Sequence, residues 1–159
     1  MDPILKILKD NALAEPEQIA SQLNLTREEV IAKIKAYEAD NVILGYRTIL
    51  NEEKLGVDNV RAMIEVKITP EREGGFDRIA ERIARYREVR SCYLMSGAYD
   101  LLVEVEGESL RDVAMFVSEK LATIQGVLST ATHFLLKPYK EQGVLMTPDR
   151  HEDHLPVTP

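Results

Sequence analysis

Two rhythms of apolar residues divide this chain. Up to about residue 40 they recur at helical spacing. Ile4, Ile7 and Leu8 form one stripe, Ile19, Ala20 and Leu23 a second, and Val30, Ile31, Ile34 and Tyr37 a third. Asp2 can cap the first helix, with Pro3 at its first position, and Pro16 opens the second. Thr26-Arg27-Glu28-Glu29 has the form of a capping box, in which hydroxyl and carboxylate satisfy free N–H groups at the start of a third helix running to about Asp40. Asn24 and Leu25 make the tight turn before it. Residues from Val42 to Leu50 then predict a small β wing.

From residue 60 the period changes to two. Ala62, Ile64, Val66 and Ile68 alternate with polar neighbours, as in a strand with one buried face. Phe76, Ile79, Ala80, Ile83 and Tyr86 are spaced as a helix. Val89 to Met95 and Tyr99 to Val105 predict two strands folded back across Gly97-Ala98, with Gly97 suiting the first loop position of a type II′ turn. Ser109 can cap a helix carrying Leu110, Val113, Ala114, Val117 and Leu121, ended by Gly126, and Val127 to Leu136 is a fourth strand.

The predicted fold class is therefore α+β. A winged helix-turn-helix over residues 1–50 and a linker at 51–59 precede a ferredoxin-like βαββαβ domain at 60–137 and an extended tail at 138–159. A sheet with helices on one face leaves the other face in need of a partner, most simply another copy of the chain.

Composition narrows the class. Of 159 residues, 45% are hydrophobic and 30% charged, with a net charge of −7 that argues mildly against a nucleic-acid binder. The single cysteine, Cys92, excludes an intrachain disulfide or a cysteine-rich metal site, and its place in a strand suggests an inert thiol. The sequence has no membrane-length apolar run and no signal-peptide pattern, so a cytoplasmic location without membrane partners is expected. No phosphate loop, serine elbow, cofactor motif or metal set stands out. The histidines of His151-Glu152-Asp153-His154 lie in a polar, proline-flanked tail, which favours solvation over metal binding.

The strand-to-strand turn has an unusual polar tip. Ser96 precedes Gly97-Ala98, and Tyr99 and Asp100 follow. Exposed turn N–H groups, a carboxylate and an aromatic ring suit a small-ligand contact, although the turn by itself suits an ordinary surface turn better. The same Asp100 equally suits capping the turn and fixing an oligomer contact.

Several segments, in order, resemble the Lrp/AsnC family of feast/famine transcriptional regulators. Asn41-Val42-Ile43-Leu44-Gly45-Tyr46, then Leu50 and Lys54-Leu55-Gly56, track the family's Gly-x-Ile-x-Gly-Tyr…Leu…Leu-Gly segment. Glu88-Val89 matches Pro-Glu-Val, with Arg87 replacing the proline. Ser96-Gly97-Ala98-Tyr99-Asp100-Leu101 matches the Gly-x-Tyr-Asp turn. Gly126-Val127 and Thr130-Ala131-Thr132 match Pro-Gly-Val…Thr-x-Thr, with Gln125 replacing the proline. The resemblance covers Met1 to about Lys137. It implies a sequence-specific DNA-binding regulator with a ferredoxin-like (RAM-type) domain, assembling as homodimers into an octamer or similar. It further implies an amino-acid effector cleft where hairpin tips meet between subunits, to which Thr130 and Thr132 carry over beside Ser96 to Asp100.

In a helix-turn-helix the second helix enters the major groove of duplex DNA. By position, Thr26, Arg27, Glu28 and Ala32 would face base edges, with Lys33 and Lys35 available to phosphate or base. The family usually has Arg where Lys33 stands, and Lys lacks Arg's bidentate fork. Residues 1–50 hold six basic and eight acidic side chains, a poor balance for a polyanion partner. Two other classes therefore stay in view. One is an assembly or effector-sensing module with a vestigial reading head. The other is an enzyme resembling sirohaem decarboxylases, which share this two-part architecture, with His133 as its one core histidine.

Overall fold

The computed structural model describes residues 1–69 and 75–146. The chain divides into two compact units, Met1–Ile49 and Leu50–Pro159.

The first unit is helical: α1 (Pro3–Asp10), α2 (Pro16–Leu23) and α3 (Arg27–Ala39). The expected caps form. Asp2 accepts from the Ile4 N–H at 2.8 Å. Thr26 Oγ1 accepts from the Glu29 N–H at 3.2 Å, while Glu29 Oε2 accepts from the Thr26 N–H at 2.7 Å. Between α2 and α3 the chain turns on Asn24, whose left-handed conformation (φ 54°) its short polar side chain tolerates. The core is small: Ile4, Ile19, Ala20 and Val30 are buried, with Ile7, Leu8, Leu23, Leu25 and Ile34 packed around them.

The expected wing does not form. Residues 44–50 hold no paired strand, and Val42, Leu44, Tyr46 and Leu50 are exposed. A lone extended segment has no partner for its ladder, and even an isolated two-stranded hairpin is only marginally stable.

The second unit contains α4 (Glu52–Leu55), β1 (Val60–Ile68), α5 (Gly75–Ala84), β2 (Val89–Leu94), β3 (Leu101–Gly107), α6 (Leu110–Met115) and β4 (Val127–Phe134). The sheet order is β2-β3-β1-β4 and every pairing is antiparallel, the ferredoxin-like arrangement expected. Ala62, Ile64, Val66 and Ile68 of β1 and Leu101, Val103 and Val105 of β3 are buried with Ile79, Ile83, Val113, Phe116 and Leu121 of the helices. Cys92 is half-buried among them, and burial pushes its thiol pKa up, which suits the inert role expected.

Three details differ from expectation. After Met115 the last helix widens into a π-helical stretch, Phe116–Leu121, whose five-residue step brings both of its end residues into the core. The expected linker carries the one-turn α4, which Asn51 caps by accepting from the Lys54 N–H at 3.1 Å. Part of the expected extended tail also folds, as a hairpin of β5 (Lys140–Glu141) and β6 (Val144–Leu145). Its loop residues Gln142 and Gly143 both have positive φ, the type I′ geometry that matches strand twist. Arg61 holds the hairpin: Nη1 lies 2.8 Å from Glu141 and Nη2 2.5 Å from Glu104.

Candidate DNA-reading helix and effector loop

Helix α3 has one buried stripe, Val30, Ile34 and Tyr37, and a row on the opposite side at Glu28, Ala32, Lys35 and Ala39. All four residues of that row are exposed, as are Thr26, Arg27 and Lys33. The helix therefore presents the expected residues together, but their charges are not equally available. Arg27 Nε lies 2.6 Å from Glu17 of α2. Lys33 stands nearer the buried stripe and its Nζ lies 3.5 Å from Asp2. Among the described residues, Lys35 alone of these three cations has no carboxylate partner. Glu29, engaged in the cap, is held below its ordinary pKa first by the Thr26 N–H and then by its hydroxyl.

Asp2 is a junction that the sequence pattern did not reveal. Its carboxylate accepts from the Ile4 N–H, the Tyr37 hydroxyl and the Lys33 ammonium, in that order of effect, and all three lower its pKa. The same bond raises the pKa of the Tyr37 hydroxyl. One side chain thus caps α1 and ties it to α3.

In the second unit, the expected two-residue turn at Gly97-Ala98 is replaced by a wider bend. Met95 N donates to Asp100 O at 2.8 Å, so four residues, Ser96 to Tyr99, span the gap. Gly97 takes a φ of +140°, outside the type II′ position and strained for any residue with a side chain. The cause is Asp100. Its N–H donates to Val66 O at 3.0 Å, and its Oδ2 accepts from the Ile68 N–H at 2.7 Å. Both bonds draw residue 100 onto β1, beside the register shift between Lys67 and Ile68, and the chain from β2 must reach across.

Thr130 pairs with Val66 on the other side of β1, and Thr132 pairs with Ile64. Leu101, the neighbour of Asp100, pairs with Val66 from the opposite side, so Asp100 and Thr130 lie on either side of β1 near the same end, roughly 10 Å apart at the backbone. Ser96, Gly97 and Ala98 are exposed, while Tyr99, Asp100, Thr130 and Thr132 are half-buried. The loop and the threonine strand thus share one end of the sheet. His133 lies on the open face, with Nε2 at 3.4 Å from Glu65 and an exposed ring.

Among the described residues no cluster of three or more His, Cys, Asp or Glu is placed to hold a metal. No helix among them is long and apolar enough to cross a membrane. The sequence around His151 and His154 lies outside the described residues.

A helix-turn-helix head joined to an antiparallel sheet with helices on one face defines a two-part regulator of the ligand-responsive kind. The comparisons bear this out. Residues 61–145 match the Lrp/AsnC ligand-binding domain. The HTH-type transcriptional regulator YugG of Bacillus subtilis (strain 168) is 45% identical over 157 residues, covering 98% of this chain and 95% of the relative. A proline dehydrogenase transcriptional activator of Rhizobium radiobacter is 28% identical, covering 89% and 90%. Among solved structures, a transcriptional regulator of Neisseria meningitidis in complex with L-Met superposes with a TM-score of 0.69 at 22% identity, covering 90% of this chain and 92% of its own. This chain belongs to the Lrp/AsnC family of transcriptional regulators. Its relatives are named as regulators, not as enzymes, which removes the decarboxylase-like alternative.

Proposed function

We propose that this chain is a sequence-specific DNA-binding regulator whose second unit senses an amino acid. The observation that carries the reading is the capped, solvent-facing α3 with its row of Glu28, Ala32 and Lys35 behind a tight turn. Thr26, Arg27, Glu28 and Ala32 meet base edges, and Lys35 meets phosphate. The L-Met complex of the Neisseria regulator supports an amino acid as the class of effector. It would lie against Ser96 to Asp100, Thr130 and Thr132, with the free oxygen of Asp100 accepting from the ammonium.

Assembly of two or more copies completes the cleft. The open sheet face, where Tyr93 is exposed among charged and polar neighbours, and the exposed Leu44 and Tyr46 offer surface to a second copy. The site of action is the cytoplasm.

Selection of bound fragments from random DNA tests the reading directly. An enriched pseudo-palindrome is expected, and Lys35→Ala should weaken binding to every sequence while reducing the salt slope by about 0.9. The acidic balance of the head favours one other reading, a sensing or assembly module with a vestigial head, which predicts no enrichment.

For the effector, Asp100→Asn is the informative variant, because an amide oxygen can still accept from the Ile68 N–H. Calorimetry against a panel of amino acids that includes methionine should show binding to the parent chain and none to this variant. Equal affinity for both would exclude Asp100 from the cleft.

A further inference from the structure

Asp2 lies outside the helix that reads DNA, yet its carboxylate is placed between that helix and α1. It accepts from the Ile4 N–H at 2.8 Å and from the Tyr37 hydroxyl, and its other oxygen lies 3.5 Å from Lys33 Nζ. Ile4 is fully buried and Tyr37 half-buried, so the carboxylate sits against the small core and not on a free arm. Its side chain is 23% exposed, against 49% for Lys33.

We propose that Asp2 is a positioning residue for DNA binding that withholds Lys33 from phosphate. The inference rests on the DNA-binding reading above. Lys33 stands between the buried stripe and the outward row of α3, so its flexible stem can reach either α1 or the solvent side. Asp2 decides between them. A carboxylate at this distance occupies the ammonium that counterion release would otherwise exchange for a phosphate. Each cation held this way removes one phosphate contact from the head, which leaves Lys35 as the main phosphate contact of this helix face. The chain then depends more on base-edge contacts and on multiple heads than on backbone charge, which favours discrimination over raw affinity.

The test uses the full chain and a mixed-sequence duplex, titrated over a series of salt concentrations. Asp2→Asn removes the charge and keeps an equally good N-cap. Asp2→Ser does the same with a shorter side chain, so a folding defect peculiar to one variant is recognised in the other. Both should bind about two- to five-fold tighter at low salt, the range set by an exposed ion pair. The salt slope should steepen by about 0.9, a change that a merely structural cap would not produce. Lys33→Ala alone should leave affinity nearly unchanged. In the Lys33→Ala background, Asp2→Asn should no longer tighten binding.

If the gain persists in that background, it reflects net charge alone and the proposal is overturned. It is equally overturned if Lys33→Ala weakens binding as much as Lys35→Ala, since Lys33 then already meets phosphate. Lys35→Ala without effect on binding would overturn the DNA-binding reading itself. Weakening by Lys35→Ala with no response to Asp2→Asn would overturn only the role of Asp2.

Discussion

The two units solve the same stability problem with different means. The head has four buried core residues and the sheet unit thirteen among the described residues, so the first has much less apolar surface to remove from water. It compensates with polar junctions at its helix ends: Asp2 at α1, Asn24 after α2, and the Thr26–Glu29 box at α3. The sheet unit relies on packing, and its polar junctions tie chain segments onto a core that already holds. The smaller unit is therefore the one that single substitutions and pH should reach first.

The strongest way to break this comparison is to remove the same amount of core from each unit. Ile19→Ala and Ile64→Ala each replace a fully buried isoleucine and should each cost about 2–5 kcal/mol. In the head that is a large share of the available stability, and in the sheet unit a smaller one. Hydrogen exchange should show Ile19→Ala losing protection across residues 1–49 while the sheet stays protected. Ile64→Ala should loosen the sheet without unfolding it. Uniform loss over both units in either variant would show that they do not stand separately.

Next comes Arg61. Its guanidinium is 16% exposed and joins Glu104 of β3 to Glu141 of the hairpin, whose side chains are 14% and 17% exposed. Arg61→Ala strands two half-desolvated carboxylates beside each other and should cost about 2–3 kcal/mol. The hairpin at 140–145 should lose exchange protection first, because Asn51 Nδ2 to Met146 O, at 3.2 Å, ties down the residue that follows it and not its strands. Unchanged protection there would mean that the hairpin holds itself.

The contrast also explains which features could be read from the chain. Local signals were legible: the capping box at Thr26–Glu29, the caps at Asp2 and Ser109, and the switch from helical to alternating periodicity near residue 60. Features decided by contacts distant in sequence were not. Asp100 widens its loop because β1, more than thirty residues earlier, supplies both hydrogen-bond partners. The hairpin at 140–145 has strands of two residues, too short for any period, and its turn uses Gln-Gly in place of the usual Asn-Gly. The π stretch was hidden because Phe116 and Leu121 are five apart, a spacing that α-helical periodicity does not pair. At the candidate sites, the exposed row of α3 followed from spacing, whereas the pairing of Arg27 with Glu17 and of Lys33 with Asp2 depends on how the helices cross.

A smaller effect separates the units by pH and by cap. Asp2 and Glu29 both have folded pKa values below their ordinary 3.8 and 4.5. Their stabilisation is present at neutral pH and is lost as pH falls through the folded values. Glu88 of the sheet unit is lowered too, chiefly by Lys120, but there a large core remains when it protonates. Acid titration below about pH 4 should therefore unfold residues 1–49 before the sheet. Thr26→Ala should cost the head about 1 kcal/mol at neutral pH and make its acid transition shallower, since Glu29 keeps only the backbone N–H. An acid transition that begins in the sheet would reverse the ranking.

The smallest effect comes from the same chemistry as Arg61 in the opposite setting. Arg27 pairs with Glu17 at 2.6 Å, a contact as short as those of Arg61, yet the two side chains are 51% and 61% exposed. Water and salt screen such a pair, and holding two long side chains in register costs entropy, so it contributes about 0.2–1 kcal/mol. Glu17→Gln should shift the melting temperature of the head by no more than a few degrees, where Arg61→Ala moves the sheet unit by about ten. Its effect should appear in DNA binding, because freeing the Arg27 guanidinium at the start of α3 makes it available to the duplex at little cost. Gel-shift titration should show tightening of about twofold or less, fading as salt rises. A melting shift as large as that of Arg61→Ala would mean that distance, and not exposure, sets the strength of these pairs, and the contrast between the two units would lose its physical basis.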